Sequence, residues 1–186
     1  MKKIISLIAI IPFFYWGCNN SGSESAMTGR DSAITSIQNM ERKLYADSSQ
    51  TIKPGIAMET MIAYARFAHD FPTDSLSPEY LFKAAEIARA LHNGQEAILY
   101  YDKICTDFPQ YEKASTALFL KAFTYENTLK DTANARIGYQ EFIKKYPDNQ
   151  FADDAQYSLK YLGKSPEELI KMFEGNEDAV AENPEK

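Results

Sequence analysis

Few side chains in this sequence are placed to do chemistry. There are two histidines, His69 and His92, and two cysteines, Cys18 and Cys105. Each histidine falls in or beside the end of an expected helix, where a capping or surface role suits it. Asp153-Asp154 suggests a metal site at first sight, but the pair falls in the first turn of an expected helix, where acids favour the helix dipole. No nucleophile elbow, phosphate-cradling glycine loop, zinc spacing or calcium loop is present. The pattern points away from an enzyme and calls for no cofactor, no metal and no small-molecule substrate; an unrecognised hydrolase is the remaining catalytic alternative.

Cys18 stands apart because of what precedes it. Residues 1–17 (MKKIISLIAIIPFFYWG) run from two lysines through an apolar stretch to a small residue, the order of a secretory signal peptide. The apolar stretch is shorter than the roughly 20 residues that a membrane-spanning helix needs. After it, residues 18–30 (CNNSGSESAMTGR) turn abruptly polar and read as a flexible tether. The Gly17-Cys18 junction resembles a bacterial lipoprotein signal, with Tyr15 standing where Leu is usual. That resemblance implies lipid attachment at Cys18 and anchorage to a membrane, since several acyl chains together hold stably. Asn19 in place of Asp implies the outer membrane, so a cell-envelope location is expected. Cys105 is then left single, without an intradomain disulfide, and its amphipathic surroundings suit a small half-buried side chain.

The chain has 186 residues, 45% apolar and 25% charged, enough for one sizeable core. Its aromatic content of 13%, nearly all Tyr and Phe, rules out disorder throughout. A net charge of -6, with basic residues adjacent only at Lys2-Lys3, Arg42-Lys43 and Lys144-Lys145, excludes the clustered basic face that nucleic acid requires.

The elements that organise the chain are repeated. Tyr64, Tyr101 and Tyr139 form one column; Phe67, Ile104 and Phe142 a second; Phe71, Phe108 and Tyr146 a third; Pro72, Pro109 and Pro147 a fourth. Ala97 and Ala135 form a fifth, with Thr60 as its third member. Each unit reads as two amphipathic helices. Tyr80, Leu81, Ala84, Ala85, Ala88 and Leu91 make one stripe at helical spacing. The turn His92-Asn93-Gly94 follows, and Ala97, Ile98, Tyr101, Ile104 and Cys105 make the second stripe. In the next unit Ala117, Leu118, Ala122, Tyr125 and Leu129 precede the turn Lys130-Asp131-Thr132, and Ala135, Tyr139, Phe142 and Ile143 follow it. The aromatic before each Pro ends the unit, because that residue avoids the helical region. Residues 31–45 and 54–70 give the pair upstream. Downstream, 151–162 gives a helix ending at Gly163, and Ser165 caps a short closing helix.

At Ala85, Ala97, Tyr101 and Pro109, and again at Ala122, Tyr125, Ala135, Tyr139 and Pro147 with one extra residue in the turn, the units resemble tetratricopeptide repeats. Ala stands where Gly is usual at the close-packed position. The aromatic-Pro endings (TDFPQ, KKYPDN) are similar to those of envelope proteins of this class: the lipoprotein of the outer-membrane β-barrel assembly machinery, which has more repeats, and the repeat domain of the Tol-Pal-associated periplasmic coordinator, which adds a coiled coil. The resemblance implies an all-α, helical-hairpin solenoid of about three to four helix pairs. The expected organisation is a signal peptide at 1–17, a lipidated N-terminus and tether at 18–30, the repeat domain at 31–173 and an acidic disordered tail at 174–186. The family binds peptides or helices on a concave face made by the first helix of each pair. By carry-over that face holds Glu79, Phe82, Glu86 and Arg89 in one unit, and Thr116, Phe119, Phe123, Glu126 and Asn127 in the next. Phe82, Phe119 and Phe123 either anchor a partner or complete the core between repeats. The function so implied is a protein-binding adaptor; the alternative is a self-associating structural module.

Overall fold

The computed structural model describes residues 21–46 and 53–172. Seven helices follow one another: α1 Ser21–Tyr45, α2 Pro54–Asp70, α3 Ser77–Ala90, α4 Gly94–Asp107, α5 Ala114–Asn127, α6 Thr132–Lys145 and α7 Ala152–Tyr161. A short helix at 166–172 closes the series, and no strand occurs among the described residues. Each helix packs mainly on its neighbours in the chain, the arrangement of a tetratricopeptide-like hairpin solenoid. The signal peptide, Cys18, Phe173 and the acidic tail lie outside the described residues. The helix α1 begins at Ser21 and so takes in most of the segment read as a tether. Arg30 is one reason the helical region extends upstream of Asp31, since its guanidinium holds the Asp74 carboxylate at 2.5 Å, beyond the far end of α2.

The repeat in the sequence is also a repeat of backbone hydrogen bonds. The N–H groups of Phe71, Phe108 and Tyr146 donate to the carbonyls of Phe67, Ile104 and Phe142. Three residues on, Asp74, Tyr111 and Asn149 donate back to Phe71, Phe108 and Tyr146. Ser77, Ala114 and Ala152 then donate to those three residues in turn and start the next helix. The capping aromatics share one backbone conformation, with φ of -127°, -130° and -135°. The following Pro keeps each out of the helical region and so stops the helix there.

Within a pair the turn is tighter. His92 and Lys130 both take φ of 57°, the left-handed conformation that closes a helix. Asn93 and Asp131 then cap the second helix, accepting from the N–H groups of Glu96 and Asn134. The N–H of Asn93 returns to Ala88 and that of Asp131 to Tyr125, which places the extra residue of the second unit inside its turn. Gly94 belongs to α4 and not to the turn. A Cβ there would meet Leu129 Cδ2 at 2.8 Å, so the missing side chain makes room for the neighbouring hairpin. At the C-terminal end Ser165 and Glu168 form a capping box: Glu168 N–H donates to Ser165 Oγ at 3.2 Å, and Ser165 N–H to the Glu168 carboxylate at 2.7 Å.

Tyr64, Tyr101 and Tyr139 are fully buried, as are Phe67, Ile104 and Phe142. Small residues (Ala84, Ala85, Ala88, Ala97, Ala117, Ala122 and Ala135) let the helices approach closely. Cys105 and Leu120 pack against both core clusters, and join them where α4 meets α5. Burial pushes the Cys105 thiol up to about 11, so it packs as an apolar group and not as a thiolate.

Candidate functional site

The first helix of each pair presents a carboxylate to the buried tyrosine of the second. Tyr64 donates its hydroxyl to Glu41 at 2.6 Å, Tyr101 donates to Glu86, and Tyr139 donates to Glu126 at 2.7 Å. A phenol buried in an apolar hairpin needs an acceptor, and these glutamates supply one while keeping their outer edge in solvent. Burial, and then the adjacent carboxylate, raise the pKa of all three tyrosines well above the ordinary phenol value. They stay protonated, so each keeps the hydrogen that it donates to its carboxylate.

Charges on the same face also bridge one hairpin to the next. Lys83 of α3 reaches Glu41 of α1 at 2.9 Å, and Lys113, just before α5, reaches Glu79 of α3 at 2.8 Å. Tyr111 donates to Glu79 as well. Burial alone would raise the Glu41 and Glu79 carboxyls, but hydrogen bonds from Tyr64 and Lys83, and from Lys113 and Tyr111, outweigh it and hold both below their ordinary value. The ammonium of Lys113 also lies 5.2 Å from the Phe82 ring centre.

Between these pairs lies a groove of about 380 Å³ whose apolar lining includes Leu44, Tyr45, Phe82, Ile87 and Leu91. Glu79, Lys83, Glu86 and Lys113 line it as well. Three of the four are tied across helices and the fourth, Glu86, is held by Arg89 at 3.0 Å and by Tyr101. The walls therefore combine apolar surface with charges that already have partners. Such a groove suits an apolar side chain presented by another protein better than an ionic ligand.

Of the residues expected on the binding face, Glu79, Phe82 and Glu86 line this groove, and Arg89 does not line it but holds Glu86 at 3.0 Å. Thr116, Phe123, Glu126 and Asn127 belong to the next first helix, α5, and do not line it. Phe123 is half-buried, Glu126 holds Tyr139, and the exposed Asn127 donates its side-chain amide to the Phe123 carbonyl at 3.2 Å. Phe119 is a core residue. It is 8% exposed, with ring centres of Phe151, Phe142 and Tyr139 at 4.9, 5.5 and 5.8 Å. Phe151, from the turn leading into α7, stacks on it, and this is the contact that carry-over from a single unit does not reveal.

The sequence reading missed Leu44, Tyr45, Lys83, Ile87, Leu91 and Lys113. Tyr45 is 72% exposed at the end of α1, an unusual setting for an aromatic side chain and a signal in its own right once α1 is placed. Lys83 and Lys113 carry no motif; only the stacking of one hairpin on another brings each to its carboxylate.

The fold thus defines a module of paired helices stacked one on the next. Residues 116–149 match the family model described as a tetratricopeptide repeat, and that span runs from α5 through α6 into the turn before α7. The chain therefore carries a tetratricopeptide repeat, and α3–α4 repeat the same turn geometry one unit upstream. No curated protein matches the chain.

Proposed function

We propose that this protein is a non-catalytic adaptor of the cell envelope, held to the outer membrane through lipid on Cys18, that binds a protein partner in the groove between α1 and α3. The observation that carries the binding half is the groove itself: apolar surface from Phe82, Ile87 and Leu44, walled by charges whose partners lie within the fold. A partner gains there by burying an apolar side chain, at roughly 25 cal/mol per Å² removed from water. The membrane half rests on the signal-like segment 1–17 and the Gly17-Cys18 junction. Among the described residues no helix is long and apolar enough to cross a membrane.

Two experiments test the halves separately. Capture of a partner by the wild-type chain and its loss in Phe82→Ala, with helicity unchanged, supports the groove; equal capture by the variant refutes it. Mass spectrometry of the mature N-terminus identifies acylated Cys18, and an unmodified Cys18 removes the anchor. Turnover by the purified protein on envelope substrates would overturn the non-catalytic reading and favour the hydrolase alternative.

A further inference from the structure

The second helices of the three pairs carry a feature that neither the core nor the groove uses. Ile62 in α2, Leu99 in α4 and Ile137 in α6 are 50%, 57% and 61% exposed. They keep the spacing of the buried tyrosines Tyr64, Tyr101 and Tyr139, each two residues earlier. They therefore occupy one position in three consecutive units and form a column running along the solenoid. Single exposed aliphatics are ordinary on a protein surface; one recurring at the same position of every unit is a surface feature.

The flanks of the column carry an acid before and a base after in the first two units, but not in the third. Three residues before it stand Glu59, Glu96 and Asn134, and four residues after it Arg66, Lys103 and Glu141. On a helix these two flanking positions lie on the same side of the aliphatic residue, about 4.5 Å before it and 6 Å after it along the axis. Glu59 and Arg66 are about 10 Å apart along α2, too far to pair with each other.

We propose that this face is a contact between two copies of the chain, related by a two-fold axis that runs along the column. That axis sets each aliphatic residue against its own copy and lays the facing helices antiparallel. The flanking positions then exchange, and Arg66 meets the partner's Glu59; in α4, Lys103 is already held by Asp107 at 2.6 Å and Glu96 by the Tyr100 hydroxyl. A two-fold axis along the helices would instead set Arg66 on Arg66 and Glu59 on Glu59, so the charges of α2 select the first arrangement. Isologous contacts of this kind use one patch on both copies, as the column provides. Three half-exposed aliphatics bury much less than the roughly 800 Å² per partner of a standard interface, so the dimer belongs to the weak class.

The test is sedimentation equilibrium of the full chain over a concentration series that reaches the millimolar range. The wild type rises from one protomer mass towards two. Leu99→Glu, at an exposed position that leaves helicity unchanged, weakens the association by about tenfold or more. Arg66→Glu also weakens it, and Glu59→Arg with Arg66→Glu restores it, because the exchanged charges again face each other across the axis. A wild type that stays monomeric throughout overturns the proposal. So does a dimer indifferent to Leu99→Glu, or a double reversal that fails to restore association. None of these outcomes bears on the groove, whose lining includes none of the substituted residues.

Discussion

Gly138→Ala reverses an ordinary rule. In the middle of an exposed helix, replacing Gly by Ala stabilises by about 1 kcal/mol, because Gly loses more backbone freedom on folding. Gly138 sits inside α6 against α5, where a Cβ would stand 2.8 Å from Ala122 Cβ and 3.2 Å from Ala122 Cα. Carbon atoms rest at about 3.5–4.0 Å, so the helices would have to separate by several tenths of an ångström. Neither obstructing atom can rotate away, since one is backbone and the other is fixed to it. Overpacking of this sort costs about 1–3 kcal/mol, and α6 also positions Tyr139 for its bond to Glu126. The expected net effect is destabilisation by about 1 kcal/mol. Urea unfolding monitored by helicity measures it as a lower midpoint at unchanged slope. Ala122→Gly combined with Gly138→Ala should lose less than the two single changes together, because one methyl then replaces the other in the same gap. A Gly138→Ala variant more stable than the wild type would mean that α5 and α6 do not touch there, and would refute the packing of the matched repeat.

Phe119→Ala should destabilise by about 3–4 kcal/mol, as loss of a buried aromatic does, whereas Phe123→Ala should cost about 1 kcal/mol or less in the same titration; equal small costs would return Phe119 to the binding surface. His92→Gly should raise stability by about 0.5–1 kcal/mol, because φ of 57° suits Gly, and a lower urea midpoint would argue against that turn. Glu41 and Glu79 are held below their ordinary value of 4.5 in the folded chain, so what they contribute is fully present above about pH 4.5 and is lost as pH falls through the folded values. The melting temperature should therefore drop on acidification below that point, and Glu41→Gln should lower it at pH 7 while flattening the acid loss; an acid loss as steep in the variant as in the wild type would contradict the pairing.

Much of the fold was legible because it is local and repeated. The Tyr, Phe and Pro columns fix helix ends through the proline restriction, and the observed cap conformations agree from unit to unit. The extra residue of the second unit was also visible, since it displaces Tyr139 relative to Tyr101 without disturbing the stripes. The site was less legible because it is made between units. Glu86 and Glu126 were placed on the inward face, but that each serves a buried phenol depends on the pitch of two packed helices. The ring of Phe151 covering Phe119, and Lys83 bridging back to Glu41, depend on stacking, which no single unit encodes. The start of α1 was read ten residues late because Ser, Gly and Thr dominate 21–30 and give little apolar periodicity.

Site-specific photo-crosslinking in living cells tests the central claim most directly. A photo-reactive benzoylphenylalanine at position 82, on the groove, should give a discrete covalent adduct with another protein. The same residue at position 148, exposed in the turn after α6, should give none. A partner trapped from position 148 and not from 82 would contradict the account.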